Sequence, residues 1–477
     1  MLTGRQGALV DLGIEPDPDR RDALFEARPD DLEFGLNLAM GAPPRAGIQL
    51  IKRLQQLRAG QPLVLEYREA FAAKQAGETE HASELLARVA ARATELGAKY
   101  ELARVREIEG DILYGDPSRF QDALARFQEA ERLYTDVGEI PLLAWVKLRM
   151  ASLLRDMRRK RETLQKLDEA AALNRKLGNR AQLVGLLMQA GNALAAFGEL
   201  DGARAKLQEA RRELEARGEP LDGHAFMLYF SSYAVLAMAE ADLAGAREAL
   251  SRVLRHPFAQ QRGWGDRVEA DLLYELDQLE QARASLAKAE SLARPGESVP
   301  VMLADACSFD CEGDQPAAGL ACLAQRCRAE QPGLDGWQKA RCGLEEARCS
   351  FRARDLGRAE QAAREAWAFY EQSDEYRFRL RAQAILLQVA AARGDSARAL
   401  RLLRADLKEV ESRGHRQLAF EIALALGDAE LRTGHPEGRA RLTRLEREAK
   451  SREFFRIARL AREALDQRPV AAAARPH

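Results

Sequence analysis

The chain has little of what β-sheets are built from. Its 477 residues include only 15 valines, 9 isoleucines and 7 threonines. Those side chains suit a pleated surface, so their scarcity argues against a large sheet. Long apolar runs are also missing: a run such as Ile140 to Val146 falls far short of the ~20 residues a membrane helix needs. The start, Met1 to Gly7, has no apolar stretch of signal-peptide length, so a cytoplasmic location is the default expectation. No sign of charge prevails: 73 Lys and Arg face 74 Asp and Glu, for a net −1. Phosphate neutralisation needs a cationic excess, so the balance argues against binding nucleic acid through overall charge. Sequence signatures of catalysis are lacking as well. There is no GK[ST] phosphate loop, no HRD or DFG, no HExxH and no GxSxG. The histidines at 81, 224, 256, 415, 435 and 477 are dispersed. Neither an enzyme nor a bound metal or cofactor is expected.

What is present is helical. Ala, Leu, Arg and Glu dominate, all good helix formers. With 46% hydrophobic residues the chain has ample material for a core, which excludes general disorder. The clearest internal unit runs from Leu177 to Gly218 and reads as helix, tight turn, helix, turn. Gly198 sits at the inner turn, and Gly178 and Gly218 close successive second helices. Ala203, Leu207 and Ala210 share one face of the second helix.

The pattern recurs. Equivalents of Ala203 fall at Ala46, Ala82, Ala123, Thr163, Ala246, Ala282, Ala318, Ala359, Ala399 and Arg439, at intervals of 36 to 43 residues. A small residue is needed there because two antiparallel helices approach closely only where one presents Ala or Gly. One such hairpin cannot bury its apolar face alone, so it stacks on the next. About eleven units are expected. His256 to Gly265 reads as an interrupting loop.

These units resemble the tetratricopeptide repeat (TPR), in a long subset with a period near 40. Ala123, Phe127 and Ala130 match the family's second-helix signature; Ala203, Leu207, Ala210 and Ala282, Leu286, Ala289 match it with Leu substituted. The first-helix glycine matches at Gly110, Gly191 and Gly427. The array is also similar to the helical arm of bacterial regulatory proteins. The resemblance implies an all-α, TPR-like α-solenoid coiled as a right-handed superhelix over residues 35–466. An acidic segment, 1–34, would cap it, and a disordered tail, 467–477, would follow.

A TPR array implies a non-catalytic scaffold that binds a protein or peptide against its concave first helices. The alternative is a sensor arm gating a separate kinase or transcription factor. The concave positions by alignment are Met188, Asn192, Ser231, Val235, Asp271, Cys307, Cys311, Arg348, Gln388 and Asp428. The family's carboxylate clamp for chaperone tails is absent, because Met188 and Val235 stand where Lys and Asn are required.

All six cysteines lie between Cys307 and Cys349, with no CxxC spacing. Cys307 and Cys311 share a face of one first helix, Cys342 and Cys349 a face of the next, and Cys322 takes a core position between. They read as small hydrophobes, free of zinc and of disulfides. The ends carry opposite charge: nine acids against three bases over 11–33, and nine bases against three acids over 438–462. Polar caps account for this, and weak, salt-sensitive head-to-tail self-association is the further expectation.

Overall fold

The computed structural model describes residue 51 and residues 62–157, 159–216, 223–256, 263–292, 299–312, 315–327, 336–372 and 375–466. The acidic segment expected at 1–34, the unit around Ala46 and the tail 467–477 lie outside them. Among the described residues there are 21 α-helices and no strand. The chain divides into two compact units: residues up to 157 with 172–177, and residues 158–171 with 178 onward.

The first unit holds α1 (Pro62–Gln75), α2 (Thr79–Glu95), α3 (Lys99–Leu113), α4 (Phe120–Val137) and α5 (Ile140–Asp156). α6 (Lys160–Leu177) runs across the division. The hairpin α3/α4 shows why the repeat forms. Ala123, Phe127 and Ala130 are fully enclosed, and with Tyr134, Val146 and Leu153 they make one core. Gly110 of α3 lies against the Phe127 ring so closely that a Cβ would sit 2.7 Å from it. The same contact recurs in the second unit as Gly191 against Leu207 at 3.0 Å and Gly427 against Leu442 at 2.8 Å. The resemblance to TPR hairpins is therefore a matter of packing.

The second unit holds α7 (Arg180–Ala196), α8 (Leu200–Glu215), α9 (Gly223–Ala239), α10 (Leu243–Arg255), α11 (Trp264–Glu275), α12 (Leu279–Leu292), α13 (Val299–Glu312), α14 (Pro316–Arg326), α15 (Gly336–Arg352) and α16 (Leu356–Gln372). It continues with α17 (Tyr376–Ala392), α18 (Ser396–Ser412), α19 (Arg416–Arg432), α20 (Glu437–Ser451) and α21 (Phe455–Asp466). Gly178 and Gly198 have φ of 66° and 77°, as their turns require. Ala82, Ala123, Thr163, Ala203, Ala246, Ala282, Ala359 and Ala399 are all buried. In two units the small residue sits one place away from the interval. Gly319, not the exposed Ala318, meets α13, and Gly438, not the exposed Arg439, meets α19. The steric rule holds at both sites, and an alignment by spacing alone selects the neighbour.

Two features of this unit depart from a plain open array. Its last helices pack back onto earlier ones. Met238, Leu250, Val253 and Leu272 share a core with Phe420, Leu442, Phe454 and Ile457. Arg459 clamps Asp277 through two bonds of 2.8 and 2.9 Å. The basic end is therefore partly spent inside the unit, which takes charge away from head-to-tail association.

The second feature corrects the expectation of free thiols. Disulfides join Cys307 to Cys322, Cys311 to Cys349 and Cys327 to Cys342, with Cα separations of 5.5, 5.2 and 6.0 Å. The faces were those expected; the pairing follows because α13, α14 and α15 pack mutually and bring cysteines within bridging reach. Together with Ala304 and Leu323 the cysteines are the core of that segment.

Candidate binding cavity

The inward face of the second unit is built mainly from first helices. α11, α13, α15, α17 and α19 each present one face to a cavity of about 950 Å³, and α21 contributes Arg456, Ile457 and Leu460. The volume falls toward the upper end of the ~300–1,000 Å³ usual for ligand pockets. Apolar positions such as Phe309, Leu344, Phe378 and Ile385 alternate with charge.

Most of that charge is internally compensated. Buried Arg456 lies 3.0 Å from Glu275 and 3.3 Å from Glu312, with its guanidinium 4.3 Å from the centre of the Tyr274 ring. The Tyr274 hydroxyl donates to Glu312 at 2.5 Å and accepts from Arg348. Arg381 grips Glu421 through two bonds of 2.6 Å. Arg341 pairs with Asp305 and Glu345, and Arg432 with Asp428 at 2.6 Å.

The titration behaviour follows from this pairing. Burial alone would raise Glu421, but Arg381, helped by Arg456, pulls it down to about 2. Burial likewise opposes charge on Arg341, Arg348 and Arg456, yet their carboxylate partners hold all three above the ordinary value. Asp428 behaves oppositely: burial outweighs Arg354 and raises it to about 6. His415 caps α19 by accepting from the Leu418 N–H at 3.4 Å. Burial, with Arg377 and Arg381 nearby, depresses it to about 3, so it is neutral at physiological pH. Arg341, Arg348, Arg381 and Arg456 are each bound by an anion from another helix, which fixes this electrostatic scaffold in place.

Of the concave positions expected from sequence, Val235, Asp271, Arg348, Gln388 and Asp428 line this cavity. Met188, Asn192 and Ser231 do not; Met188 and Ser231 are buried in packing. Cys307 and Cys311 turn into the cross-linked core behind the lining. Sequence reasoning missed Arg341, Arg381, Glu421 and Arg456. An i to i+4 spacing runs through Arg341–Glu345 and Arg377–Arg381 and was available as a signal; the partners of Arg456 lie 144 and 181 residues away and were not. Among the described residues, no group of His, Cys, Asp and Glu is placed to hold a metal ion, and no helix is long and apolar enough to cross a membrane.

No family model matches the chain, and no curated protein matches it. Solved structures similar to the chain at low identity include the following two. One is a Rap protein complexed with competence and sporulation factor: 11% identity and a TM-score of 0.46, covering 68% of this chain and 96% of that one. The other is a STAND signal-transduction ATPase with a tetratricopeptide-repeat sensor from Pyrococcus horikoshii: 12% identity and a TM-score of 0.36, covering 98% of this chain and 66% of that one.

Proposed function

We propose that the chain is a non-catalytic receptor that binds a short peptide, free or as a segment of a protein, in the cavity of its second unit. The observation behind this reading is the cavity itself. It combines enclosure, apolar side chains and charges already fixed in place, which are the ingredients of recognition. The carboxylates around Tyr274 are held by arginines; Glu312 and Glu345 are both kept below the ordinary range against the effect of burial. Groups clamped in this way orient a ligand and are poorly placed to trade protons. The three disulfides fit an oxidising compartment better than a reducing one, so we propose that setting in place of the cytoplasm.

The test is hydrogen exchange of the full chain with and without pools of synthetic peptides five to eight residues long. Binding should protect α11, α13, α15, α17 and α19 together. The variant Ala384→Trp fills the cavity and should abolish that protection. Peptide binding that protects only outer helices, or survives Ala384→Trp unchanged, would place recognition elsewhere.

A further inference from the structure

Three charged groups in the cavity stand apart from its ion-pair scaffold. Among the described residues, Arg267, Asp271 and Arg377 have no salt bridge and no side-chain hydrogen bond. Arg267 and Asp271 lie one turn apart on α11, and Arg377 lies in the first turn of α17. All three line the same cavity, where both arginines favour the charged form of Asp271 and Asp305 opposes it. Among the described residues, the direct partner of the Arg377 guanidinium is the Phe378 ring, 4.8 Å away.

This placement is costly for stability. Both arginines sit in first turns, where the helix dipole disfavours a cation. Asp271 stands exposed at the cavity wall with no cation gripping it. Arg377 shows the same deficit from the other side: burial, with Arg381 beside it, lowers it to about 10, whereas the paired cavity arginines are raised. Local rules broken without a compensating contact mark functional positions more often than structural ones.

Resting on the proposed peptide-binding function, we infer that Arg267 and Arg377 form the anion subsite of the cavity and receive a carboxylate of the bound peptide. Two guanidinium groups against one carboxylate leave a local surplus of one positive charge. A carboxylate, with a single negative charge and two oxygens, cancels it and fits the guanidinium fork. A phosphate group, at roughly −1.5 to −2, would overshoot. The carboxylate can come from the peptide C-terminus or from an Asp or Glu side chain, and both offer the same chemistry to the two arginines.

The experiment uses the full oxidised chain and three pentapeptide pools: free C-termini, C-terminal amides, and amides with one fixed Asp. Selected peptides are then titrated by calorimetry. We expect binders from the free-acid pool, the Asp-amide pool or both, which names the source. Removing the carboxylate should weaken binding by ~10- to 100-fold, the usual scale for a charge-assisted contact. Arg377→Gln should weaken the carboxylate peptide similarly and leave its neutral analogue unaffected, a coupling that a merely structural role would not produce. Because Arg377 holds no ion pair, the variant should melt no lower than the native chain. If it fails to fold, Arg377→Lys keeps the charge without the fork, and a partial loss of affinity is expected. Equal binding of acid and amide, with the cavity helices still protected, would overturn the subsite and leave the receptor reading intact. Failure of every pool to bind would overturn both.

Discussion

The hairpins α3/α4 and α13/α14 solve the same packing problem with different materials. In α3/α4 a glycine meets an aromatic ring: Gly110 lies on Phe127, flanked by Ala123 and Ala130 at full burial. In α13/α14 a glycine meets sulfur: a Cβ on Gly319 would run into the Cys311 Sγ. The second helices differ too, at 18 residues in α4 and 11 in α14. The short helix offers Leu323 as its one large, fully buried side chain. Where a hairpin is too short to bury an apolar face, cross-links supply what packing cannot. Those cross-links stand directly behind the cavity. α13 carries Asp305 and Glu312 together with Cys307 and Cys311, and α15 carries Arg341, Glu345 and Arg348 together with Cys342 and Cys349.

The strongest way to break the comparison is reduction. Each cross-link is worth ~2–4 kcal/mol in general, and three lie within one segment. A thiol reductant should therefore raise hydrogen exchange across α13, α14 and α15 and leave α3 and α4 unchanged. Full protection of α13–α15 with all six thiols titratable would show that the cysteines act only as packing atoms.

Next in size is Phe127→Ala. Deleting a fully buried ring typically costs ~3–5 kcal/mol. Each repeat leans on its neighbours, so the loss of protection should centre on residues 99–137. Urea unfolding gives the magnitude, and exchange gives the location. Equal loosening of the cross-linked segment would contradict the separation of the two regions.

The contrast also explains what was legible in the sequence. Ala123, Phe127 and Ala130 announce themselves because close helix crossing imposes residue size, and size is written residue by residue. Gly319 and Gly438 obey the same rule but hide beside a plausible neighbour. The cysteine faces could be read from helical periodicity, but their pairing could not, since six cysteines allow fifteen connectivities. The cavity was half visible. Asp271, Arg348 and Asp428 follow from the repeat register. The ion pairs that decide its electrostatics join α21 to α11 and α13, and that contact depends on the unit folding back on itself.

A finer probe replaces the glycines. Gly110→Ala should cost ~1–3 kcal/mol by overpacking the Phe127 ring. Gly319→Ala should be no milder, since its obstacle is a bonded sulfur that cannot swing aside. Thermal melts of the two variants set the order. A harmless Gly319→Ala would mean that α14 can shift freely over α13.

Acid should separate the regions as well, because α3 and α4 contain no histidine while His415 is buried in the second unit. His415 is depressed from 6.5 to about 3 by burial, with Arg377 and Arg381 adding to it and Glu421 opposing. Below pH 6.5 the unfolded chain takes up a proton that the folded chain refuses. Its contribution to stability is therefore complete above 6.5 and falls as pH drops toward 3. Asp406 and Asp428, raised to about 6, work in the opposite direction between pH 6 and 4, so only a difference between variants isolates the histidine. His415→Asn keeps a capping acceptor and cannot protonate. Near pH 5.5 it should remove ~1 kcal/mol of acid sensitivity, measured by urea unfolding at two pH values. An unchanged acid slope would show that His415 is not the group responsible.

The smallest effect belongs to the rim of the aromatic hairpin. Lys99 of α3 reaches Asp136 of α4 at 2.8 Å, with both side chains about half exposed. Water already solvates both ions, and holding two long side chains in one geometry costs rotamer freedom. Such pairs contribute ~0–1 kcal/mol and are screened by salt. Lys99→Ala should thus shift the urea midpoint barely, and less still at high salt. The interest lies in its contrast with Phe127→Ala on the same two helices. If the charge removal matched the ring removal, the hairpin would be held by its polar rim, and the parallel between ring and disulfide as alternative fillings of one crossing would fail. A near-silent Lys99→Ala beside a costly Phe127→Ala locates the strength of α3/α4 at the Gly110 crossing, the counterpart of the place where α13/α14 carries its sulfur.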